Sequence, residues 1–389
     1  MTVRWKRILF RLVAIALFTH FVVEITGHHY LYQTLRMTVF KGRFGPDIEE
    51  YRSMPNASIY GFDPEYWPKK PSYGTLSLSK EDAAYHEKNE SVSFVVIHND
   101  SMIHEEYWDG FSADSISNSF SMAKSIVALL VGIAIDQQAI ESVDKPLYWY
   151  MPQYRTELGQ ELTIKDLLTM SSGINFDENY INPFAFPAKA NYGDNLELLV
   201  SEYEVTEKPG VTFEYKSGNT QILAFLVSST MRKPVSEIAT EMVWSKIGAE
   251  HRAFWTLDRE GGTEKAFCCI NATARDFARI GRIYKDFGMW DDERIVDSAY
   301  VAASISKQAT INPDGSPCET YGYQWWLGEE KGMDFFFMRG IKGQYVLVVP
   351  EKDLIVVRMG RKRDNGTFER PHPDDVYRYL NMGLSMIDE

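Results

Sequence analysis

The sequence predicts an α+β fold: an antiparallel sheet formed from N- and C-terminal strands, flanked by helices, with an inserted all-helical lobe. Three observations predict it. Runs with strand character lie at 92–107 and again at 321–359. The texture between them, from Ser121 to about Ser304, is mostly helical. The 22 Tyr, 22 Phe and 9 Trp supply enough apolar area for one large core, which excludes wholesale disorder. Strands at both ends around a helical middle are most simply satisfied when they pair in one sheet and the helices form a lobe beside it.

In chain order, the N-terminus comes first. Arg4, Lys6, Arg7 and Arg11 precede the apolar run Leu12–Val23, broken only by Thr19 and His20. A basic start followed by a short apolar run predicts a signal peptide or membrane anchor over residues 1–27. Glu24-Ile25-Thr26-Gly27 is a poor cleavage site, so an uncleaved anchor is favoured over a removed signal. The basic flank then leaves the bulk of the chain extracytoplasmic. Residues 28–84 read as a lead-in punctuated by Pro46, Pro55, Pro64, Pro68 and Pro71.

A single domain is expected over 85–389, with its helical lobe at about 140–300. Val92–His98, the turn Asn99-Asp100-Ser101 and Met102–Tyr107 read as a hairpin. Helices are expected at Ile164–Met170, Leu196–Tyr203, Thr220–Met231, Val235–Ile247 and Ala272–Asp286. Strands follow at Tyr321–Leu327, Asp334–Met338, Gln344–Val349 and Leu354–Met359, the last two joined by Pro350-Glu351-Lys352-Asp353. A closing helix is expected at Asp374–Met386.

Composition excludes several function classes. The net charge of −13 and the lack of a long basic run argue against nucleic-acid binding. There is no G-x-G spacing for a dinucleotide and no Gly-Lys pair for a P-loop. The histidines form no metal signature. Neither metal nor organic cofactor is expected. Cys268, Cys269 and Cys318 give no disulfide framework and read as buried or idle thiols.

S-x-x-K occurs at Ser77, Ser121, Ser142 and Ser304. Only Ser121-Met122-Ala123-Lys124 opens a long apolar helix, since Ile126–Ile135 carries no polar side chain. An all-round apolar helix is buried, so Lys124 is expected to be desolvated and biased toward its neutral amine. Residues three apart share a helix face, which brings Lys124 to the Ser121 hydroxyl. Free N–H groups at a helix start favour the negative charge that develops on attack. Nucleophile, base and oxyanion donor are the parts of an activated serine. The bland alternative is that Ser121 caps the helix and Lys124 reaches solvent.

Asn118-Ser119-Phe120-Ser121-Met122-Ala123-Lys124-Ser125 resembles the active-site helix of the serine β-lactamase and penicillin-binding-protein superfamily. It is most similar to the class C-like branch that includes esterases and 6-aminohexanoate-dimer hydrolases. Collinear stretches extend the likeness: 162–173, 213–219, 272–279 and 340–344. The resemblance implies a β-lactamase/transpeptidase-like fold and an acyl-enzyme on Ser121. It further implies Tyr215 as partner of Lys124 in general acid/base work, although Tyr215-Lys216-Ser217 carries Ser where the family motif has Asn. Gly340-Ile341-Lys342-Gly343 replaces the usual Lys-Thr-Gly strand. It implies an oxyanion hole from the backbone N–H groups of Ser121 and Ile341, with Gly340 and Gly343 beside the substrate. Tyr180 and Ser217 are further expected substrate contacts. The function expected is ester or amide hydrolysis on a small molecule. The alternatives are a cell-wall D-peptidase or β-lactamase, and a catalytically inactive binding or scaffold protein. The missing Lys-Thr-Gly hydroxyl predicts esters over cephalosporins, with the direction of Arg339 left open.

Overall fold

The computed structural model describes residues 3–43, 45–364 and 370–387. The first helix, α1 (Val3–Ile25), leaves Trp5, Phe10, Leu17, Phe18 and Phe21 exposed. Among the described residues it is the one helix long and apolar enough to cross a membrane. Residues 28–84 pack onto the remainder of the chain. α2 (Tyr30–Met37) sets Tyr30 and Met37 against Tyr192. The short strand β1 (Asn56–Ile59) joins a sheet, and α3 (Lys80–Lys88) starts where the Ser79 hydroxyl accepts the Asp82 N–H.

The expected hairpin is present as β2 (Ser91–His98) and β3 (Ser101–Tyr107). Asn99 and Asp100 sit at φ 49° and 50°, the left-handed pair that a two-residue turn requires. β4 (Ser117–Asn118) leads through a 3₁₀ turn, Phe120–Met122, into α4 (Ala123–Asp136). The lobe carries α5 (Ile164–Leu168), α6 (Phe186–Tyr192), α7 (Leu196–Ser201), α8 (Ser217–Met231) and α9 (Val235–Ala239), which continues as a π turn over Thr240–Trp244. Then come β5 (Ala253–Thr256), β6 (Ile270–Ala272), α10 (Ala274–Lys285), the small pair β7 (Met289–Trp290) and β8 (Glu293–Arg294), and α11 (Ser298–Ser304). β9 (Trp326–Glu330), β10 (Met333–Gly340), β11 (Gln344–Val349), β12 (Leu354–Gly360) and α12 (Asp374–Ser385) complete the chain.

The main sheet runs β3-β2-β12-β11-β10-β9, antiparallel throughout. Val357 of β12 faces Val95 on one side and Val346 on the other, so the two ends of the chain meet at the sheet centre. Both faces are covered, and β12 is buried along its whole length. α12 lies on one face, where a Cβ at Gly383 would stand 2.3 Å from Val356. α10 lies on the other, where a Cβ at Gly281 would stand 2.9 Å from Val346. A second sheet, β1-β5-β6-β4, ties residues 56–59 to the domain and holds Asn118 just before the Ser121 turn.

Two expectations are corrected. The strand expected at Tyr321–Leu327 begins only at Trp326, because Gln324 takes φ 60° and the aromatic residues before it fill a loop instead. Cys268 and Cys269 are not idle thiols: they form a disulfide with each other, while Cys318 is free and buried.

Candidate active site

Ser121 sits on the 3₁₀ turn ahead of α4. Phe120 before it is buried at φ 45°, a costly conformation for a residue with a Cβ, and its N–H donates to Asn118 Oδ1 at 2.8 Å. The strained turn aims Ser121 into a cleft. Ser121 makes no helix cap, since the N-cap of α4 is Met122, without a side-chain cap bond. Its hydroxyl instead receives a hydrogen bond from Lys124 Nζ at 3.1 Å.

Lys124 is fully enclosed, and its Nζ also donates to the Phe267 carbonyl at 2.7 Å. Burial pulls its pKa down to about 8, opposed by the negative charge of Glu178. Tyr215 completes the group: its ring lies 5.1 Å from Lys124 Nζ, stacks on Trp326 at 5.4 Å, and its hydroxyl bonds with Ser121. Burial raises the Tyr215 pKa, only partly offset by the bond to Ser121. A phenolate at Tyr215 is therefore disfavoured in the free protein, because desolvation outweighs the Ser121 hydroxyl and the Arg339 charge.

β10 passes hard against the Ser121 turn. A Cβ at Gly340 would fall 2.3 Å from the Ser119 carbonyl, so only glycine allows that approach. The next residue, Ile341, lines the same cleft as Ser121. The turn Ile341–Gly343 is built with Lys342 at φ 63° and Gly343 at φ 81°. Arg358, buried in β12, holds it from beneath by donating to the Lys342 and Gly343 carbonyls at 2.9 and 2.8 Å. Gly343 thus serves the turn's backbone rather than the cleft wall.

Ser217 is buried at the start of α8, and its N–H and hydroxyl both donate to Glu178, at 2.7 and 2.5 Å. Neither Ser217 nor Glu178 lines the cleft. Tyr180 lines the cleft and donates to the same Glu178 at 2.7 Å. Glu178 was not singled out from the sequence, although it lies two residues before Tyr180. A carboxylate at a helix start is stabilised by the free N–H groups there, which is why it sits at the head of α8.

The cleft has a volume of ≈ 590 Å³, and Trp326, Arg339, Lys342, Arg361, Lys362 and Arg363 join its wall. The side of β10 that Arg339 takes is now plain: it faces the cleft, with its guanidinium 4.6 Å from the Trp326 ring centre. Arg361 is matched by Asp109 and Glu49, at 2.8 and 2.7 Å. Arg339 has no ion-pair partner among the described residues. The cleft wall is thus rich in cationic side chains, although the chain carries a net charge of −13. No group of three or more His, Cys, Asp or Glu suited to a metal occurs among the described residues.

A family model, Beta-lactamase, matches residues 81–378, which span the sheet, the lobe and every residue of this cleft. The chain belongs to the β-lactamase family. It shares with that family the fold of the serine β-lactamase and penicillin-binding-protein superfamily. The 6-aminohexanoate-dimer hydrolase of Paenarthrobacter ureafaciens is 27% identical over 300 residues, covering 71% of this chain and 74% of that protein. Among solved structures, a Bacillus anthracis protein described as a 6-aminohexanoate-dimer hydrolase superposes with TM-score 0.74 at 20% identity, covering 87% of this chain and 92% of its own. A family VIII carboxylesterase superposes with TM-score 0.63 at 15% identity, over 82% of this chain and 99% of its own. These likenesses place the chain in a family of hydrolases.

Proposed function

We propose that the protein is a serine hydrolase that cleaves ester or linear amide bonds through an acyl-enzyme on Ser121. The observation that carries this reading is the 3.1 Å contact between the Ser121 hydroxyl and a buried Lys124 whose pKa is drawn down to about 8. Near neutral pH a useful fraction of Lys124 is the free amine, able to accept a proton. In acylation the Ser121 oxygen bonds to the substrate carbonyl carbon while its proton passes to Lys124. The N–H groups of Ser121 and Ile341 receive the oxyanion. Collapse breaks the bond to the leaving group, which takes a proton through the Tyr215 hydroxyl. Water then attacks the ester by the same path and frees Ser121.

The hydrolase names among the relatives support ester and amide substrates, and the cationic cleft narrows them. Arg339, Lys342 and Lys362 favour a substrate carrying a carboxylate near the scissile bond. The exposed apolar α1 supports an N-terminal anchor, with the catalytic domain on the extracytoplasmic side. The β-lactamase or D-peptidase reading draws support from the family model and from Arg339, but no Lys-Thr-Gly hydroxyl accompanies that arginine.

Matched p-nitrophenyl esters test the assignment. A succinate half-ester should exceed the neutral butyrate in kcat/KM, and a chromogenic cephalosporin should be turned over poorly. Arg339→Ala should cost the anionic ester about tenfold to a hundredfold and leave the neutral one nearly unchanged. Rapid cephalosporin hydrolysis without esterase activity would hand the site to the second reading.

A further inference from the structure

We propose that the Cys268–Cys269 disulfide is a positioning device for the catalytic pair, and that its reduction to two thiols switches hydrolysis off. The inference rests on Lys124 serving as the base. The two cysteines lie in the short connection that enters β6, and each backbone carbonyl of that connection is spoken for. The Phe267 carbonyl receives Lys124 Nζ at 2.7 Å. The Cys268 carbonyl receives Trp255 Nε1 at 3.1 Å. The Cys269 carbonyl receives the Thr256 N–H at 3.0 Å and Asn271 Nδ2 at 2.9 Å. The Ile270 carbonyl receives the Ser119 N–H at 2.8 Å, two residues before the nucleophile. One four-residue stretch therefore anchors both the base and the turn that carries Ser121.

The bridge acts on the orientation of those carbonyls. A disulfide between adjacent residues closes a small ring through the peptide bond that joins them, so the torsions on either side lose their freedom. Cys269 is held at φ 70°, the left-handed region that a residue with a Cβ rarely occupies. With the ring open, Cys269 is free to leave that region, and the peptide planes beside it turn with it. Both sulfurs are nearly buried and rest against Asn191 Oδ1 at 3.7 and 3.9 Å. Asn191 is itself tied to the connection, since its carbonyl receives Lys265 Nζ at 2.5 Å. No other part of the proposed chemistry uses these sulfurs.

Reduction needs a dithiol. One reagent thiolate attacks a cysteine sulfur, the S–S bond breaks and a mixed disulfide forms. The second reagent thiolate displaces the protein sulfur, leaving Cys268 and Cys269 as thiols and the reagent as a cyclic disulfide. Two electrons and two protons pass to the protein.

The test uses the full chain, with thiol content read by alkylation and intact mass. Three readouts follow in the oxidised, dithiothreitol-reduced and reoxidised protein, and in Cys268→Ser/Cys269→Ser: the rate of fluorophosphonate labelling at Ser121, kcat and KM on a p-nitrophenyl ester, and the melting temperature. Reduction should slow labelling and kcat by tenfold or more, leave KM within twofold, and be undone by reoxidation. The double variant should match the reduced protein and ignore dithiothreitol. If that variant does not fold, the reduced wild-type protein decides. If the folded disulfide resists dithiothreitol, the variant decides. Equal labelling and turnover with and without the bridge would overturn the proposal, as would free thiols at both positions in the air-oxidised protein. A failure of Ser121 to label in any state would instead overturn the catalytic reading beneath it.

Discussion

A lysine with no carboxylate bonded to it, sealed beside a serine hydroxyl, is costly unless its neutral form is wanted. Lys124 makes two hydrogen bonds, to Ser121 and to the Phe267 carbonyl, and the nearest negative charge acting on it is Glu178. Its pKa falls because burial outweighs that charge. The sign of the pH dependence follows. Below about 8 Lys124 is protonated and cannot take the serine proton; above it the amine is free. We predict that kcat/KM rises about tenfold per pH unit on the acid side and levels above pH 8, when measured on an ester stable across that range. Tyr215, held above its ordinary pKa, stays a phenol through this window and adds no descending limb. A profile flat from pH 6 to 9 would remove Lys124 from the role of base. The serine–lysine pair was legible in the sequence because its spacing falls on one helix face ahead of a run with no polar residue. Glu178 and Trp326 were not, because each is ordinary in its own segment and meets the site only through the fold.

Elements place these groups where sequence patterns do not reach. The apolar runs located β2, β3, β10, β11 and β12 within a residue or two, since both faces of the sheet are buried and demand apolar side chains with little alternation. β1 was missed: four residues among prolines carry too little pattern, and its pairing with β5 lies some 200 residues away in sequence. The helix expected over Val235–Ile247 ends early in a π turn at Thr240–Trp244. The turn after β10 depends on Arg358, which the sequence shows only as a charge inside an apolar strand. Its guanidinium and Nε bind the Lys342, Gly343, Asn89 and Lys362 carbonyls and the Ser91 hydroxyl. Replacing it orphans several buried acceptors at once. Arg358→Met is predicted to lower stability by about 2–4 kcal/mol in urea unfolding. It should also lower kcat by about tenfold to a hundredfold through displacement of Ile341. An unchanged kcat in a folded Arg358→Met protein would show that the turn does not position the oxyanion.

At the scale of the molecule, the sheet joins both ends of the chain, and the cleft opens beside β10, where the Ser121 turn, the head of α8 and the loop 176–180 converge. α1 belongs to none of these. Its exposed aromatic and aliphatic side chains, next to a basic start, suit a bilayer. We predict that the full-length protein sediments with membranes and that a chain beginning near residue 30 is soluble with unchanged kcat. Recovery of the full-length protein in the soluble fraction would contradict the anchor. The overall architecture was readable because strands at both ends around a helical middle have few ways to pack. The cationic cleft was not, because its arginines and lysines come from β10, the turn after it and the segment after β12, and are diluted by an acidic composition.

The acyl-enzyme itself is the central claim, and trapping it is the most direct test. The protein is mixed with a p-nitrophenyl ester, quenched in acid within the burst, and read by intact mass and peptide mapping. The account predicts a single acyl adduct on Ser121, absent from Ser121→Ala and accumulating in Lys124→Met far more slowly than in the wild-type protein. Turnover with no adduct, or an adduct on another residue with Ser121→Ala still active, would contradict it.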